Sequence, residues 1–242
     1  MLKIVKTQVA VDRVELTTNA SLLTDEIIEG LIANELDYVR VSIYGVHEEE
    51  FKRITNSYFT PEKIYTNVKK LRQRRDLLGK KKPFIYAKMI DTFSIDNDIF
   101  IEQYKDIADE VCIEAPMNWS NTEDDFINKL YEGKGEEVHT AISKEYKEKY
   151  VCPYPFHTLS IRSNGDVVVC CVDWLRDTKI GNIFEETLKD IWNGEKLYQL
   201  RCQHIDRRKH ENRSCANCEI PLRISEMDNL DMITKDILNM AK

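Results

Sequence analysis

The chain has 242 residues, of which 42% are hydrophobic, and a formal charge of −7 at pH 7. This length and apolar fraction allow a sizeable core and exclude a wholly disordered chain, and the acidic balance argues against nucleic-acid binding, which needs clustered Lys and Arg. The N-terminus is too interrupted by charge to be a signal peptide, and no window resembles a membrane span. We therefore expect a cytoplasmic protein without nucleic-acid or membrane partners.

Short β-rich runs alternate with longer amphipathic runs from residue 11 to about 118. The predicted strands are residues 11–18, 38–44, 83–90 and 109–115. Between them, predicted helices begin after Thr24 and cover residues 47–54, 65–78 and 97–108. This alternation indicates parallel strands with helical crossovers. The basic run at residues 69–75 lies on one of these helices, where we expect a solvated face.

The character of the chain changes after this array. Residues 119–148 are polar and charged, and they are predicted to form a linker and a helix. Two β-rich runs then flank Asn164-Gly165, a dipeptide typical of tight hairpins. Helical runs follow at residues 187–193 and 195–203. We predict a small cysteine-anchored domain over residues 149–242, after an α/β array over residues 1–118.

Four of the seven cysteines have the spacing of a metal site. Cys152 precedes the hairpin, Cys170 follows it, and Cys215 and Cys218 form a Cys-x-x-Cys knuckle. Four thiolates are a standard ligand set for structural zinc or for an iron-sulfur cluster. The spacing predicts a site of this kind, and by itself it does not separate the two.

The other three cysteines are not predicted to be ligands. Cys112 lies within a predicted strand, where we expect a buried core thiol. Cys171 follows Cys170 directly, and alternation along a strand would point its thiol away from that neighbour. Cys202 lies on a helical run.

The cysteine motifs resemble those of radical S-adenosylmethionine (SAM) enzymes with a C-terminal SPASM or twitch domain. In that family a Cys is followed by a Gly, a second Cys and then a Cys-x-x-Cys, and Cys152, Gly165, Cys170, Cys215 and Cys218 fit this order. The resemblance implies an α/β fold: about the last four strands of a partial (β/α)6 barrel, followed by a small α+β twitch domain with a β-hairpin.

The resemblance also implies cofactors and a reaction class. No cysteine follows Cys218, which is similar to the twitch form with one auxiliary 4Fe–4S cluster. SAM and a second 4Fe–4S cluster belong to the complete parent enzyme. The layout is similar to that of an aminocyclitol dehydrogenase of this family, which implies alcohol oxidation of a small-molecule substrate and an external electron donor or acceptor. A peptide-modifying enzyme is one alternative, and a non-catalytic zinc or iron-sulfur module for partner interaction is another.

Candidate SAM contacts lie at the ends of the predicted strands. By resemblance, Thr18 and Asn19 after the first strand and Ser42 on the second approach the SAM ribose, with Lys88 on the third as a further candidate. Residues at the C-terminal ends of barrel strands face the site. Thr and Asn after a strand are also ordinary turn residues. No catalytic residue is predicted.

One departure from the family bears on activity. The family's SAM cluster is held by a Cys-x-x-x-Cys-x-x-Cys motif, whereas the first cysteine here is Cys112. We expect a fragment, a truncated product or a mis-assigned start that does not cleave SAM alone, with a degenerate partner-binding protein as the alternative. Asn118 and Trp119 are expected near the mouth of the barrel.

Overall fold

The chain divides into two compact units, Met1–Pro116 and Met117–Lys242. The computed structural model describes residues 1–115, 131 and 149–240. The predicted linker at residues 119–148 lies outside the described residues apart from Tyr131, and Asn118 and Trp119 also lie outside them. Among the described residues, no helix is both long enough and apolar enough to cross a membrane.

The first unit is an α/β structure with a four-stranded parallel sheet in the order β1-β2-β3-β4. Its strands are β1 Glu15–Thr18, β2 Tyr38–Ile43, β3 Phe84–Ile90 and β4 Glu110–Glu114. Its helices are α1 Leu2–Gln8, α2 Asp25–Ala33, α3 Glu48–Thr55, α4 Pro61–Leu77 and α5 Asp96–Tyr104. The predicted alternation is therefore present, with boundaries that differ by a few residues.

The first strand is shorter than predicted. It begins at Glu15, which pairs with Tyr38 of β2. Before that point the backbone N–H of Val14 donates to the carboxylate of Asp37 at 2.9 Å instead of joining the ladder. The alternating sequence pattern therefore begins before the paired strand does, because the Asp37 carboxylate accepts the Val14 N–H in place of a backbone carbonyl of β2.

The two faces of the parallel sheet differ in chemistry. Val41, Ala87 and other inward residues of β2 and β3 are fully buried in one core with apolar residues of α2, α4 and α5. Side chains alternate between faces along a strand, so Arg40, Ser42 and Lys88 lie on the opposite face, where they are half-buried. The sheet therefore has one apolar face and one mixed face, which we call the polar face and on which the rings of Tyr38, Phe84 and Tyr86 also lie.

Arg75 corrects the expectation of a solvated basic run. Its side chain is 4% exposed and donates to Asp109 at 2.5 and 3.1 Å and to the carbonyl of Pro83 at 2.8 Å. Asp109 also accepts the backbone N–H of Ile85 at 2.7 Å. Helical periodicity turns this position inward, and the pair ties α4 to the starts of β3 and β4. The other basic residues of the run are better solvated: Lys69 and Lys70 are exposed.

The second unit has a three-stranded antiparallel sheet, β5 Ser160–Ile161, β6 Asp166–Val168 and β7 Lys179–Asn182. Its helices in the described residues are α6 Tyr154–His157, α7 Leu188–Asn193, α8 Glu195–Ile205, α9 Arg213–Ala216, α10 Ile220–Arg223 and α11 Lys235–Met240. Val167, Val169 and Ile191 pack with apolar residues of α8 in one small core.

The predicted hairpin is present, and its turn has three residues. The N–H of Gly165 donates to the carbonyl of Arg162 at 2.9 Å, and the N–H of Arg162 donates to the backbone carbonyl of Asp166 at 2.8 Å. Gly165 has φ +82°, and a Cβ there would meet the Phe184 ring at 2.5 Å. This loop type places a left-handed residue at its last position, which explains the glycine.

We predict that Asp109→Asn lowers the free energy of unfolding of the first unit by about 3 kcal/mol, because the buried Arg75 would lose both of its bonds to the Asp109 carboxylate and keep only the exposed Asp76 as a charged partner. Hydrogen exchange followed by mass spectrometry on peptides from residues 1–115 measures this unit alone. The control is Asp25→Asn, which removes an exposed pair with Lys70 and should change exchange little. Equal effects of the two substitutions would contradict the assignment.

The same carboxylate predicts a pH dependence. Burial pushes the pKa of Asp109 upward, but hydrogen bonds from Arg75 and Ile85 outweigh it and hold the pKa below its ordinary 3.8. The group then adds stability that is complete above the unfolded-state pKa of about 4 and is lost as the pH falls through the lower folded-state pKa. The stability difference between the parent and Asp109→Asn should stay constant near neutral pH and shrink below about pH 4. A difference that grows on acidification would contradict this.

Candidate metal centre

Four cysteine side chains line one cavity in the second unit. Cys152 precedes α6, Cys170 follows β6, and Cys215 and Cys218 lie on and just after α9. All seven cysteines of the chain are free thiols. No three His, Cys, Asp or Glu side chains among the described residues are already arranged to hold a metal ion. The structure thus brings the four predicted ligands to one place without the geometry of a closed coordination sphere.

Three of these thiols accept backbone hydrogen bonds in the same way. The N–H of Tyr154 donates to Cys152, that of Val172 to Cys170 and that of Ile220 to Cys218, each two residues further along the chain. A bond of this kind fixes the side-chain rotamer and favours the thiolate over the thiol. Repetition at three cysteines indicates that the backbone is shaped to present sulfur atoms to the cavity.

Burial dominates the electrostatics of the thiols. It raises the pKa of Cys152 and of Cys215 to about 12, and for Cys215 the neighbouring Cys218 and Cys152 raise it further. Among the described residues that line the cavity, Lys209 is the one cationic side chain, and it lowers these pKa values only in part. Four thiolates at this place therefore need a strongly cationic partner, which a metal ion or an iron-sulfur cluster provides.

A buried carboxylate connects the two halves of the cysteine set. Asp173, which is 2% exposed, accepts the hydroxyl of Ser214 at 2.6 Å. It also accepts the hydroxyl of Thr178 at 2.6 Å and the backbone N–H groups of Thr178 and Asp177 at 2.9 and 3.2 Å. Burial works against ionisation, but these bonds hold the pKa of Asp173 below its ordinary value. The loop after Cys170 is thereby fixed to the helix that carries Cys215.

The knuckle has its own local support. The side chain of Asn212 caps α9 by accepting the N–H of Cys215 at 3.2 Å, and its amide donates to the carbonyl of Asp177 at 3.2 Å. The ammonium of Lys209 lies 3.4 Å from the carbonyl oxygens of Cys215 and Cys218. These contacts orient the backbone from which both thiols project.

The structure changes the interpretation of Cys171. The pair Cys170-Cys171 lies after the end of β6, in a turn, so strand alternation does not apply. The two thiols interact with each other, and this interaction raises the pKa of Cys170 and lowers that of Cys171 to about 6. The expectation that Cys171 points away from Cys170 is therefore wrong, although Cys171 remains exposed.

The two remaining cysteines lie elsewhere. Cys112 is half-buried on β4, beside Lys88 in the register and in hydrogen-bond contact with Tyr86. It is on the polar face of the sheet, so it is not the buried core thiol that we expected. Cys202 is buried on α8 and does not line the cavity of the four cysteines.

Sequence reasoning did not single out His204. This residue is 1% exposed and lines the same cavity. Burial, with a contribution from Lys209, lowers its pKa to about 4. It lies at helical spacing from Leu197 and Leu200, both buried on α8. The helical spacing of these three residues in the sequence could have predicted that His204 lies on the inner face of the helix.

The candidate SAM contacts fall into two groups in the first unit. Ser42 and Lys88 are register partners on the polar face of the sheet, and the Lys88 ammonium lies 2.5 Å from Glu114. Thr18 pairs with Val41, which places it on the apolar face.

The segment after β1 also uses its side chains locally. The hydroxyl of Thr18 accepts the N–H of Ala20 at 3.0 Å, and the side chain of Asn19 accepts the N–H and hydroxyl of Ser21 at 3.1 and 2.8 Å. The turn chemistry considered for Thr18 and Asn19 is thus present. Their role in SAM binding stays a prediction.

Residues 152–219 match the model of the SPASM family, an iron-sulfur cluster-binding domain. The match contains all four predicted ligands, and it confirms the SPASM part of the resemblance that the cysteines indicated. No curated protein matches the chain.

Several solved structures are similar to this chain at low identity. A structure of histidine-tagged anSMEcpe with bound AdoMet is 15% identical, with 84% of this chain and 61% of that chain covered and a TM-score of 0.48. Native anSMEcpe with bound AdoMet and Kp18Cys peptide is 13% identical, with coverages of 86% and 66% and a TM-score of 0.45. BtrN in complex with AdoMet and 2-DOIA is 14% identical, with coverages of 79% and 76% and a TM-score of 0.31. The chain thus spans about three fifths of the length of the first of these proteins, and such scores do not establish a function.

We predict that Asp173→Ala loosens the metal centre before any metal is added. The hydroxyl of Ser214 and the N–H of Thr178 would lose a charged acceptor, and the second unit should lose about 3 kcal/mol of stability. Hydrogen exchange should rise in peptides covering residues 167–180 and 212–218. As a matched control, Asp228→Ala removes an exposed Asp–Ser bond, to Ser225, and should leave exchange in both peptides unchanged. Unchanged exchange in Asp173→Ala would contradict the bracing role.

Proposed function

We propose that the SPASM domain of this chain binds one auxiliary 4Fe–4S cluster through Cys152, Cys170, Cys215 and Cys218. One observation carries the proposal: these four thiols line a single cavity inside the range that matches an iron-sulfur cluster-binding family. The donor set fits, because iron-sulfur clusters are held by four Cys thiolates.

The surroundings of the thiols also suit a cluster. Backbone N–H groups already donate to three of the sulfurs, and hydrogen bonds to sulfur stabilise its negative charge. Lys209 adds a positive charge beside the knuckle. Apolar residues such as Val172 and Ile220 pack around Cys152 and exclude water from that side.

An electron-transfer role follows from the ligand set. When bound, a 4Fe–4S cluster supplies a one-electron redox centre. All four cysteines of the pattern are used as protein ligands, so the chain reserves no open position for a substrate. This supports relay of an electron to or from an external partner, as in the oxidation of a small-molecule alcohol by a radical SAM enzyme. A peptide substrate is the alternative within the same family.

The first unit supports a SAM-binding role in such an enzyme. Its parallel strands with helices on one face suit part of a (β/α)6 barrel. Ser42 and Lys88 share the polar face of that sheet, where a ligand with hydroxyl and carboxylate groups would meet polar partners. Asn19, directly after β1, is a further proposed contact, whereas Thr18 lies on the apolar face beside Val41 and its hydroxyl accepts the N–H of Ala20.

Anaerobic reconstitution of the chain with iron and sulfide tests the cluster. We expect about four irons and four sulfides per chain and an electron paramagnetic resonance signal after one-electron reduction. Substitution of Ser for any of Cys152, Cys170, Cys215 or Cys218 should lower bound iron by roughly half or more, because a ligand is lost.

Cys202→Ser and Cys171→Ser are the matched controls. The first removes a buried thiol that does not line the cavity, and the second removes an exposed thiol next to a ligand. Both should keep the full iron and sulfide content. One zinc per chain without sulfide would overturn the proposal in favour of a structural zinc module, and loss of iron in Cys171→Ser would reassign a ligand.

A further inference from the structure

His204 is a buried polar side chain without a partner. Neither of its ring nitrogens, Nδ1 and Nε2, has a hydrogen-bond partner among the described residues, although the side chain is 1% exposed. In either protonation state the ring carries at least one N–H donor. A buried donor without an acceptor costs about 1–3 kcal/mol. The other buried polar side chain of this helix, Arg201, has an acceptor, because its Nε donates to the carbonyl of Pro155 at 2.8 Å.

The polar groups that share the cavity with His204 already have partners. Ser214 and Thr178 donate to Asp173, and the two carboxylate oxygens of Asp173 accept four hydrogen bonds in all. Lys209 carries only donors, so it offers nothing to an N–H group. Apart from the hydroxyl of Tyr154, the sulfur atoms are the side-chain acceptors in the lining of the cavity that lie outside the Asp173 network.

We propose that His204 donates a ring N–H to a sulfur of the cluster site, either a cysteine thiolate or an inorganic sulfide, and thereby raises the reduction potential of the cluster. This inference rests on the proposed function. His204 acts as a positioning residue, because it touches the cluster's sulfur and not a substrate.

The direction of the effect follows from charge. Reduction adds negative charge to the cluster and its sulfurs, so a donor to sulfur stabilises the reduced state more than the oxidised state. Loss of the donor should therefore make the cluster harder to reduce. His204→Leu removes the donor and leaves an apolar side chain of moderate size. His204→Gln keeps an N–H donor, which is carried by a side-chain amide instead of an imidazole ring.

A redox titration of the reconstituted chain, followed by electron paramagnetic resonance, tests this. We expect His204→Leu to lower the equilibrium constant for reduction by about tenfold, which is about 59 mV for one electron. His204→Gln should recover part of that shift. Val169→Ala is the control, since Val169 lines the same cavity and carries no donor; its potential should equal that of the parent.

A spectroscopic measurement makes the test independent of the stability of the Leu variant. The unsubstituted chain labelled with ¹⁵N-histidine should show a weak nitrogen coupling to the reduced cluster in pulsed electron paramagnetic resonance. The coupling should be absent in labelled His204→Gln, which assigns it to this residue. A strong coupling typical of a nitrogen bound directly to iron would overturn the proposal by making His204 a ligand.

The outcomes separate this inference from the function beneath it. If the parent chain takes up no iron and sulfide, the proposed function fails and this inference falls with it. If the parent holds the cluster but His204→Leu has the parent's potential, or Val169→Ala shifts equally, only the inference fails. If His204→Leu does not retain a cluster, the parent chain supplies the test: a weak ¹⁵N coupling supports the inference, and its absence overturns it.

Discussion

The candidate metal centre depends on a buried carboxylate that is not itself a predicted ligand. Asp173 holds the hydroxyl of Ser214 from a point 41 positions earlier in the chain, next to Cys170. Because Ser214 directly precedes Cys215, this one contact sets the distance between the hairpin cysteines and the knuckle. The local contacts at the hairpin and at the knuckle, including the Asn212 cap, orient each pair of thiols. The four thiols can share one ligand only when the distance between the two pairs is correct.

The four clustered thiols are hard to ionise without a metal ion or a cluster. Burial disfavours thiolates, neighbouring sulfurs disfavour them further, and a single ammonium from Lys209 compensates in part. Backbone N–H groups at three cysteines favour the charged form. The N–H donors and the ammonium group are directed at the sulfur atoms. They stabilise sulfur that carries negative charge much more than a neutral thiol.

Much of this was accessible from the sequence, and the failures have physical causes. The dipeptide Asn164-Gly165 between two β-rich runs predicted the hairpin, because a left-handed position in the turn favours glycine. Arg75 was misassigned because composition does not reveal that one member of a basic run turns inward to meet Asp109. Cys171 was misassigned because alternation was applied beyond the end of the strand.

Other features lay outside what spacing can reveal. The sequence placed Thr18 and Ser42 in one group of candidates, but strand register puts them on opposite faces of the sheet. Register depends on pairing between strands that are distant in the chain, and a shift of one residue exchanges the faces. The missing partner of His204 likewise becomes visible only when its three-dimensional neighbours and their hydrogen bonds are known.

The short hairpin also has a consequence for the order in which the chain assembles. Ile161 and Val167 pair across six positions, whereas the parallel ladder of the first unit begins with Glu15 and Tyr38, 23 positions apart. Closing a small loop costs less chain entropy, so local pairs form sooner than distant ones. We therefore expect the strands between Cys152 and Cys170 to pair early and the Asp173–Ser214 contact to close late, so that the newly made chain passes through a stage with two cysteines placed and two still free.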